Sequence, residues 1–232
     1  MKSKTIAIIP ARGGSKRLPN KNKLLLGDYP LLVHSILYAQ ANSDIIDAVY
    51  VSTDDSTIKA IALTYGALVI DRPASISGDF ELTLTSLQHV LQSIHDEVEN
   101  VIVLQPTNPL RPPNLLKDCL EKFQNEKVDS LFTVTQNHQK LGKIANDKFL
   151  PFNYEIGQRS QDLQPLFFEN GLLYIAKTKT IMRGEIITKN GFPYLVNHIF
   201  AKVDIDTQED FDYAEYLIKK SVSTALEMTN LK

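Results

Sequence analysis

The chain of 232 residues has no tryptophan and one cysteine, Cys119. A single cysteine excludes an internal disulfide and a cysteine metal cluster. Cys119 falls in an amphipathic stretch, where a small core residue is expected. No apolar run reaches the length of a membrane-spanning helix. The apolar run Ile6-Ala7-Ile8-Ile9 is broken at Pro10 and Arg12 and is too short for a secretory leader, so the cytoplasm is the expected location. The formal net charge is −2, which gives no reason for bulk attraction to nucleic acid or membrane. The five histidines (His34, His89, His95, His138 and His198) have no zinc-type spacing. Those in helical stretches, His34, His89 and His95, are expected to be structural or exposed. The spacings G-x-x-x-x-G-K-[ST], G-x-G-x-x-G and G-x-S-x-G are all absent, which removes the P-loop, the dinucleotide fingerprint and the hydrolase elbow. There is no internal repeat and no low-complexity tract.

What is present is ordinary for a soluble globular protein, with 43% hydrophobic and 22% charged residues. The length suits one large α/β domain, residues 1–232, with a small subdomain. Apolar strands alternate with amphipathic helices, which predicts a mainly parallel sheet with helices on both faces. Strands are expected at 5–9, 48–52, 67–70, 101–104, 130–135, 167–176 and 198–203. Helices are expected at 31–41, after Asp54-Asp55-Ser56, at 114–125 and at 207–219, with a tail beyond Lys220. Another helix carries the stripe Leu84, Leu87, Val90, Leu91, Ile94 and Val98. Thr207-Gln208-Glu209-Asp210 has the form of a capping box. Residues 136–165 break the rhythm: they are polar, hold two short strand-like pieces, and are expected to project as a subdomain. That length is unusual for a connection inside a compact domain, which suggests a functional or partner-binding piece.

Three stretches could carry chemistry. The first follows the first strand, where Arg12, Lys16, Arg17, Lys21 and Lys23 place five positive charges within twelve residues around Gly13-Gly14. A glycine-containing basic loop at a strand end suits phosphate, although a solvated turn would look similar. The second is Asp204-Ile205-Asp206. In an extended segment both carboxylates share one side, which suits Mg²⁺, whereas an Asp before a helix is also a common N-cap. The third is the proline-rich loop from Gln105 to Pro113. It follows a strand end, where open α/β sheets bind ligands.

These stretches also carry a resemblance. Arg12-Gly13-Gly14-Ser15-Lys16, Leu18-Pro19 and Lys21-Asn22 resemble the N-terminal signature A-R-x-x-S-K-x-x-P-x-K-N of the cytidylyltransferases that activate sialic acid and related nine-carbon acids. Gln105-Pro106-Thr107-Asn108-Pro109-Leu110-Arg111 resembles that family's Q-P-T-S-P-L-R, with Asn108 where Ser is usual. Glu169-Asn170-Gly171-Leu172-Leu173-Tyr174 resembles E-N-G-x-x-Y, and Val203-Asp204-Ile205-Asp206 resembles V-D-I-D. Asn170-Gly171 is a turn signal in its own right. The resemblance implies a Rossmann-like nucleotidyltransferase fold, a homodimer made through the projecting subdomain, and transfer of CMP from CTP to the anomeric hydroxyl of a nonulosonic acid, with release of pyrophosphate. It implies that Arg12 and Lys21 neutralise the triphosphate and that Asn22 reads cytosine or holds the loop. Ser15, Arg72 and Thr83 join the nucleotide contacts, and Thr83 would otherwise serve as a helix cap. Gln105, Arg159 and Tyr174 face the sugar acid, and Asp204 and Asp206 hold Mg²⁺. Phe168 stands where some relatives have arginine. Lys140 and Lys143 are both candidates for a family lysine. The related enzymes for the eight-carbon acid KDO, which lack the Lys-Asn pair, or another sugar nucleotidyltransferase are the nearest alternative. A catalytically silent nucleotide-binding protein on the same fold is the other.

Overall fold

The structure is a computed structural model, which describes residues 4–229, with side chains described through Ser221. The strands are β1 (Lys4–Pro10), β2 (Leu25–Leu26), β3 (Tyr29–Pro30), β4 (Ala48–Thr53), β5 (Leu68–Asp71), β6 (Val98–Val103), β7 (Ser130–Asn137), β8 (Gly142–Ala145), β9 (Lys148–Pro151), β10 (Leu166–Lys177) and β11 (Phe192–Leu195). The α-helices are α1 (Leu31–Ala41), α2 (Ser56–Thr64), α3 (Thr83–Ser93), α4 (Leu115–Asn125), α5 (Thr178–Met182) and α6 (Gln208–Thr229). Seven strands form one sheet in the order β11-β7-β10-β6-β1-β4-β5, with β10 antiparallel to both neighbours and the other pairs parallel. Among the described helices none is long and apolar enough to cross a membrane.

The alternation along β1 shows how the sheet is covered. Ala7 and Ile9 point to the face packed by Leu32, Ile36, Ile58 and Leu116 from α1, α2 and α4. Ile6 and Ile8 point to the other face, under Leu87 and Val90 of α3 and Ile181 of α5. Cys119 lies fully buried in the first of these layers, and burial raises its thiol pKa. A third cluster joins Phe211, Ala214 and Leu217 of α6 to Leu18 of the basic loop and to Val203 and Ile205. Burying one such leucine or isoleucine is worth about 1.5–3 kcal/mol. Two functional stretches are therefore anchored by apolar side chains on the same helix.

Four expectations are corrected. Residues 198–203 are not the last strand: Ile199–Lys202 form a 3-10 turn, which His198 starts by accepting the Phe200 N–H on Nδ1. The edge position beside β7 belongs to β11 instead. The apolar stripe through Val98 is divided, because α3 ends at Ser93 and Val98 opens β6, where Lys4 pairs with Asp96 in the intervening turn. Asn170-Gly171 makes no chain reversal. It lies within β10, at a register shift between Glu169 and Tyr174, with Gly171 at φ +73°. Lastly, α6 continues past Lys219 to Thr229; the end of the expected tail, 230–232, lies outside the described residues.

Candidate active site

The strand order reverses beside β1: the chain passes from β1 to β4 and β5 on one side, and then to β6 on the other. In an open parallel sheet the crevice for ligands lies at such a point, outside the carboxyl ends of the strands. Here that crevice receives the basic loop after β1, Asp54 and Asp55 after β4, Arg72 after β5 and Gln105 after β6. A cavity of about 490 Å³ opens there. Arg12, Ser15, Lys21, Asn22, Arg72, Thr83, Gln105 and Asp206, scattered over the sequence, all line it.

The loop is held by its own polar atoms. The Gly13 N–H donates to Asp54 Oδ1 at 2.9 Å, and a Cβ on Gly13 would meet Asp55 Cβ at 2.8 Å. Asn22 Nδ2 donates to the Arg12 carbonyl at 3.0 Å, closing the loop across ten residues. Lys23 pairs with Asp55, which also caps α2 through the N–H groups of Thr57 and Ile58. Burial acts against the Asp55 carboxylate, but the Ile58 N–H, the Lys23 ammonium and the Thr57 N–H together hold its pKa below the ordinary value. Arg72 is buried against Ser52, with Nε to Oγ at 3.1 Å and Nη2 to the carbonyl at 2.8 Å. Burial lowers its pKa.

The remaining loop cations are paired across the cleft. Arg12 donates to the Gly78 carbonyl at 2.7 Å and reaches Asp79 at 3.0 Å, and Lys16 meets Asp79 at 2.5 Å. The Lys16 hydrogen bond is the main reason that the Asp79 pKa is depressed. Arg17 reaches Asp206 at 2.6 Å. Lys21, only 8% exposed, donates to the Ile205 carbonyl at 2.6 Å and to Asp206 Oδ1 at 2.9 Å.

Asp206 is not a helix cap. The cap is Thr207, whose Oγ1 accepts the Asp210 N–H while Asp210 Oδ2 accepts the Thr207 N–H at 2.8 Å. This is the reciprocal box that the sequence predicts. Segment 203–206 keeps the alternation of an extended chain without joining the sheet: Val203 and Ile205 are buried, Asp204 and Asp206 are open. It is pinned by the Ile205 N–H, which donates to the Thr107 carbonyl, and of its two carboxylates Asp206 is half-buried. Asp204 is exposed and lines neither this cavity nor the one beside it, yet its carboxyl pKa is raised, first by desolvation and then by the charge of Asp206. Thr83 does not cap α3 either. It is the first helical residue, and the cap position is Leu82, which makes no side-chain cap bond.

The Gln105 loop is shaped from below. Arg111 is buried without a carboxylate and spends its guanidinium on the carbonyls of Leu172 and Gln105 and on Ser35 Oγ. Burial lowers its pKa to about 10. Asn108 is fully buried, and its Nδ2 donates to the Asn170 carbonyl at 3.0 Å and the Val203 carbonyl at 2.8 Å. It thus ties the Gln105 loop to the β10 bulge and to the segment that carries Asp204. A Cβ at residue 171 would lie 2.6 Å from Asn108 Oδ1, so the glycine is needed for both space and φ. Asn108→Ala should cost about 2–4 kcal/mol, because two buried carbonyls lose their donor. Thermal unfolding should show this as a drop of roughly 5–15 °C.

A second cavity, of about 370 Å³, adjoins the first and shares Thr83 and Gln105 with it. Tyr174 and Glu169 line it: the tyrosine hydroxyl donates to Glu169 Oε1 at 2.6 Å and accepts from Gln105 Nε2 at 3.3 Å. Burial first, and then Glu169, push the Tyr174 pKa up. Arg159 lines neither cavity and is held at an exposed position by Asp162, at 2.7 and 3.1 Å. Lys140 donates to the Gln158 carbonyl and lies over the Tyr154 ring. Lys143 and Phe168 are exposed on β8 and β10. Sequence reasoning assigned no role to Asp79, Glu169, Ile186 or Ile187, all of which line a cavity. Glu169 opens the quoted E-N-G-x-x-Y segment, but Asp79 and the two isoleucines had no quoted motif to mark them.

A mainly parallel α/β sheet with a cationic cleft at its switch point defines a nucleotide-handling class of fold. The comparisons narrow it. The family model described as Cytidylyltransferase matches residues 6–229. An N-acylneuraminate cytidylyltransferase of Streptococcus agalactiae serotype III is 34% identical over 216 residues, covering 90% of this chain and 52% of that protein. The chain thus spans about half the length of that relative. A pseudaminic acid cytidylyltransferase of Campylobacter jejuni is 32% identical over 231 residues, covering 96% of this chain and 99% of that protein. Among solved structures, a CMP:2-keto-3-deoxy-manno-octonic acid synthetase complexed with CTP matches with a TM-score of 0.69 at 17% identity, over 94% of this chain and 100% of the other. The fold is that of the nucleotidyltransferases, and the chain belongs to the cytidylyltransferase family.

Proposed function

We propose that the protein transfers CMP from CTP to the anomeric hydroxyl of a sialic-acid-type nonulosonic acid, with release of pyrophosphate, in the cytoplasm. The observation that carries this reading is the cleft at the switch point, where Arg12, Lys16, Arg17, Lys21 and Arg72 face one another beside Asp206. The hydroxyl oxygen attacks the α-phosphorus, the bond to the β-phosphate bridging oxygen breaks, and charge grows on phosphate oxygens. Catalysis by this chain is therefore positioning and electrostatics. Lys21 and Arg12 face the growing charge, Arg72 and Ser15 hold the nucleotide, Asn22 fixes the loop, and Gln105 with Tyr174 meets the acid. Arg159 lines neither cavity and pairs with Asp162.

The donor set fits Mg²⁺. Asp204 and Asp206 offer oxygen only, the Asp204 pKa is raised first by desolvation and then by the charge of Asp206, and no third ligand-type residue clusters with them among the described residues. That suits an ion which takes one or two carboxylates and completes its shell with water and phosphate. When bound it would neutralise phosphate charge and acidify the attacking hydroxyl.

A pyrophosphate-release assay with CTP, Mg²⁺ and a panel of acid sugars tests the reading. Release with a nonulosonic acid is expected; release with KDO alone, or with none, would overturn it. The proposal includes a homodimer. The β8–β9 hairpin and the loop after it expose Ile144, Phe152 and Ile156 at 80%, 69% and 86%, in a stretch apart from the main sheet. So much apolar surface on one projection suits a second copy of the chain. Sedimentation at micromolar concentration should give a dimer, and a fully active monomer would be the contrary result.

A further inference from the structure

Residues 78–82 run from the turn Ala74–Ile76 to the start of α3, and Asp79, Phe80, Glu81 and Leu82 all line the cleft. The segment is exposed along its length, with Phe80 at 97% and Leu82 at 68%. Neither side chain belongs to an apolar cluster. Beyond its own turns, the polar contacts that hold it among the described residues come from two cations. Arg12 meets the Gly78 carbonyl and Asp79, and Lys16 meets Asp79. We infer that this segment is a charge-latched strap, in which Asp79 takes the place of a phosphate in the empty cleft and is displaced when a nucleotide triphosphate takes Arg12 and Lys16. The inference rests on the cleft being the triphosphate site, as proposed above, and adds a regulating contact to it.

The latch has the form of a substitute ligand. One Asp79 oxygen faces Arg12 and the other faces Lys16, as two oxygens of one phosphate could. The same Arg12 Nη1 serves both Asp79 and the Gly78 carbonyl, so a phosphate that takes it loosens both contacts together. Exposed ion pairs of this kind are weak, and a polyphosphate brings more charge than one carboxylate. Release breaks no apolar packing, because the Phe80 ring already stands in solvent. The two ends of the strap are also lightly fastened. Leu82 occupies the cap position of α3 without a side-chain cap bond, and Ser77 Oγ bonds back to the Pro73 carbonyl within its own turn.

The chain has no tryptophan, so Phe80→Trp places a single indole on the strap. The ligand for the test is inorganic tripolyphosphate at fixed Mg²⁺, which supplies the charge without a base that could quench the indole. Calorimetry follows binding and fluorescence follows the strap, both on the full chain. Tripolyphosphate should shift the emission of Phe80→Trp. Asp79→Asn in that background should shift the empty protein in the same direction and leave a smaller response to ligand. It should also tighten tripolyphosphate by about threefold or more, since the competing anion is gone. Binding to the Asp79→Asn protein no tighter than to its parent would overturn the inference. So would emission that stays fixed while calorimetry shows the cleft filling. Either result leaves CMP transfer standing. If neither tripolyphosphate nor CTP binds, the cleft is not a triphosphate site and the inference falls with that reading.

Discussion

Asp206→Asn should reduce kcat by on the order of 10²-fold or more, with thermal unfolding close to that of the parent. The structure makes this substitution informative, because Thr207 and Asp210 cap α6 without help from the Asp206 side chain. Asn keeps the shape of Asp, so the loss is one of charge. That charge holds Lys21 and Arg17, and on the proposed function it would also offer an oxygen ligand to a hard dication. A Mg²⁺ titration separates them. Loss of a metal ligand shifts the Mg²⁺ dependence, whereas loss of an ion pair leaves it in place. Wild-type turnover at every Mg²⁺ concentration would remove Asp206 from the chemistry. Asp204→Asn should be milder, since Asp204 is exposed and lines neither cavity, and among the described residues no ion pair joins it to the basic loop.

Lys21→Ala should lower kcat on the order of 10²-fold or more while changing KM for CTP much less. Phosphate charge is greater in the transition state than in bound CTP, so a cation placed for it acts mainly on turnover. Lys21 is placed in that way: it is nearly buried and held from behind by the Ile205 carbonyl and Asp206. Lys16, by comparison, is exposed and held by Asp79 alone. A Lys21 variant with normal kcat and a raised KM would reduce the residue to a ground-state contact. Unfolding should be followed in parallel, because removal of the ammonium leaves the Ile205 carbonyl without that donor.

Much of this arrangement was legible in the sequence. The βα alternation, the extent of α1, the basic loop and the paired carboxylates were all visible, because periodicity and short motifs are local properties. What was not legible depends on contacts between distant segments. Nothing around Asn108 announces that it joins Asn170 to Val203, and an Asn-Gly pair reads as a turn until the strand pairing of β10 makes it a bulge. Segment 198–203 has the apolar character of a strand, but β11 occupies the edge and His198 closes a 3-10 turn. Nothing in the sequence around Asp79 marks it, and only the folded chain sets it against Arg12 and Lys16, 67 and 63 residues earlier in the sequence.

The five cations of the basic loop share three carboxylates: Asp79 takes Arg12 and Lys16, Asp206 takes Arg17 and Lys21, and Asp55 takes Lys23. A triphosphate arriving in the cleft therefore exchanges partners with tethered anions instead of meeting bare charge. Were its oxygens to draw Lys21 and Arg17 away, Asp206 would be released from both ion pairs. On the proposed function, nucleotide and dication would be thermodynamically linked through one side chain, and by reciprocity each would tighten the binding of the other.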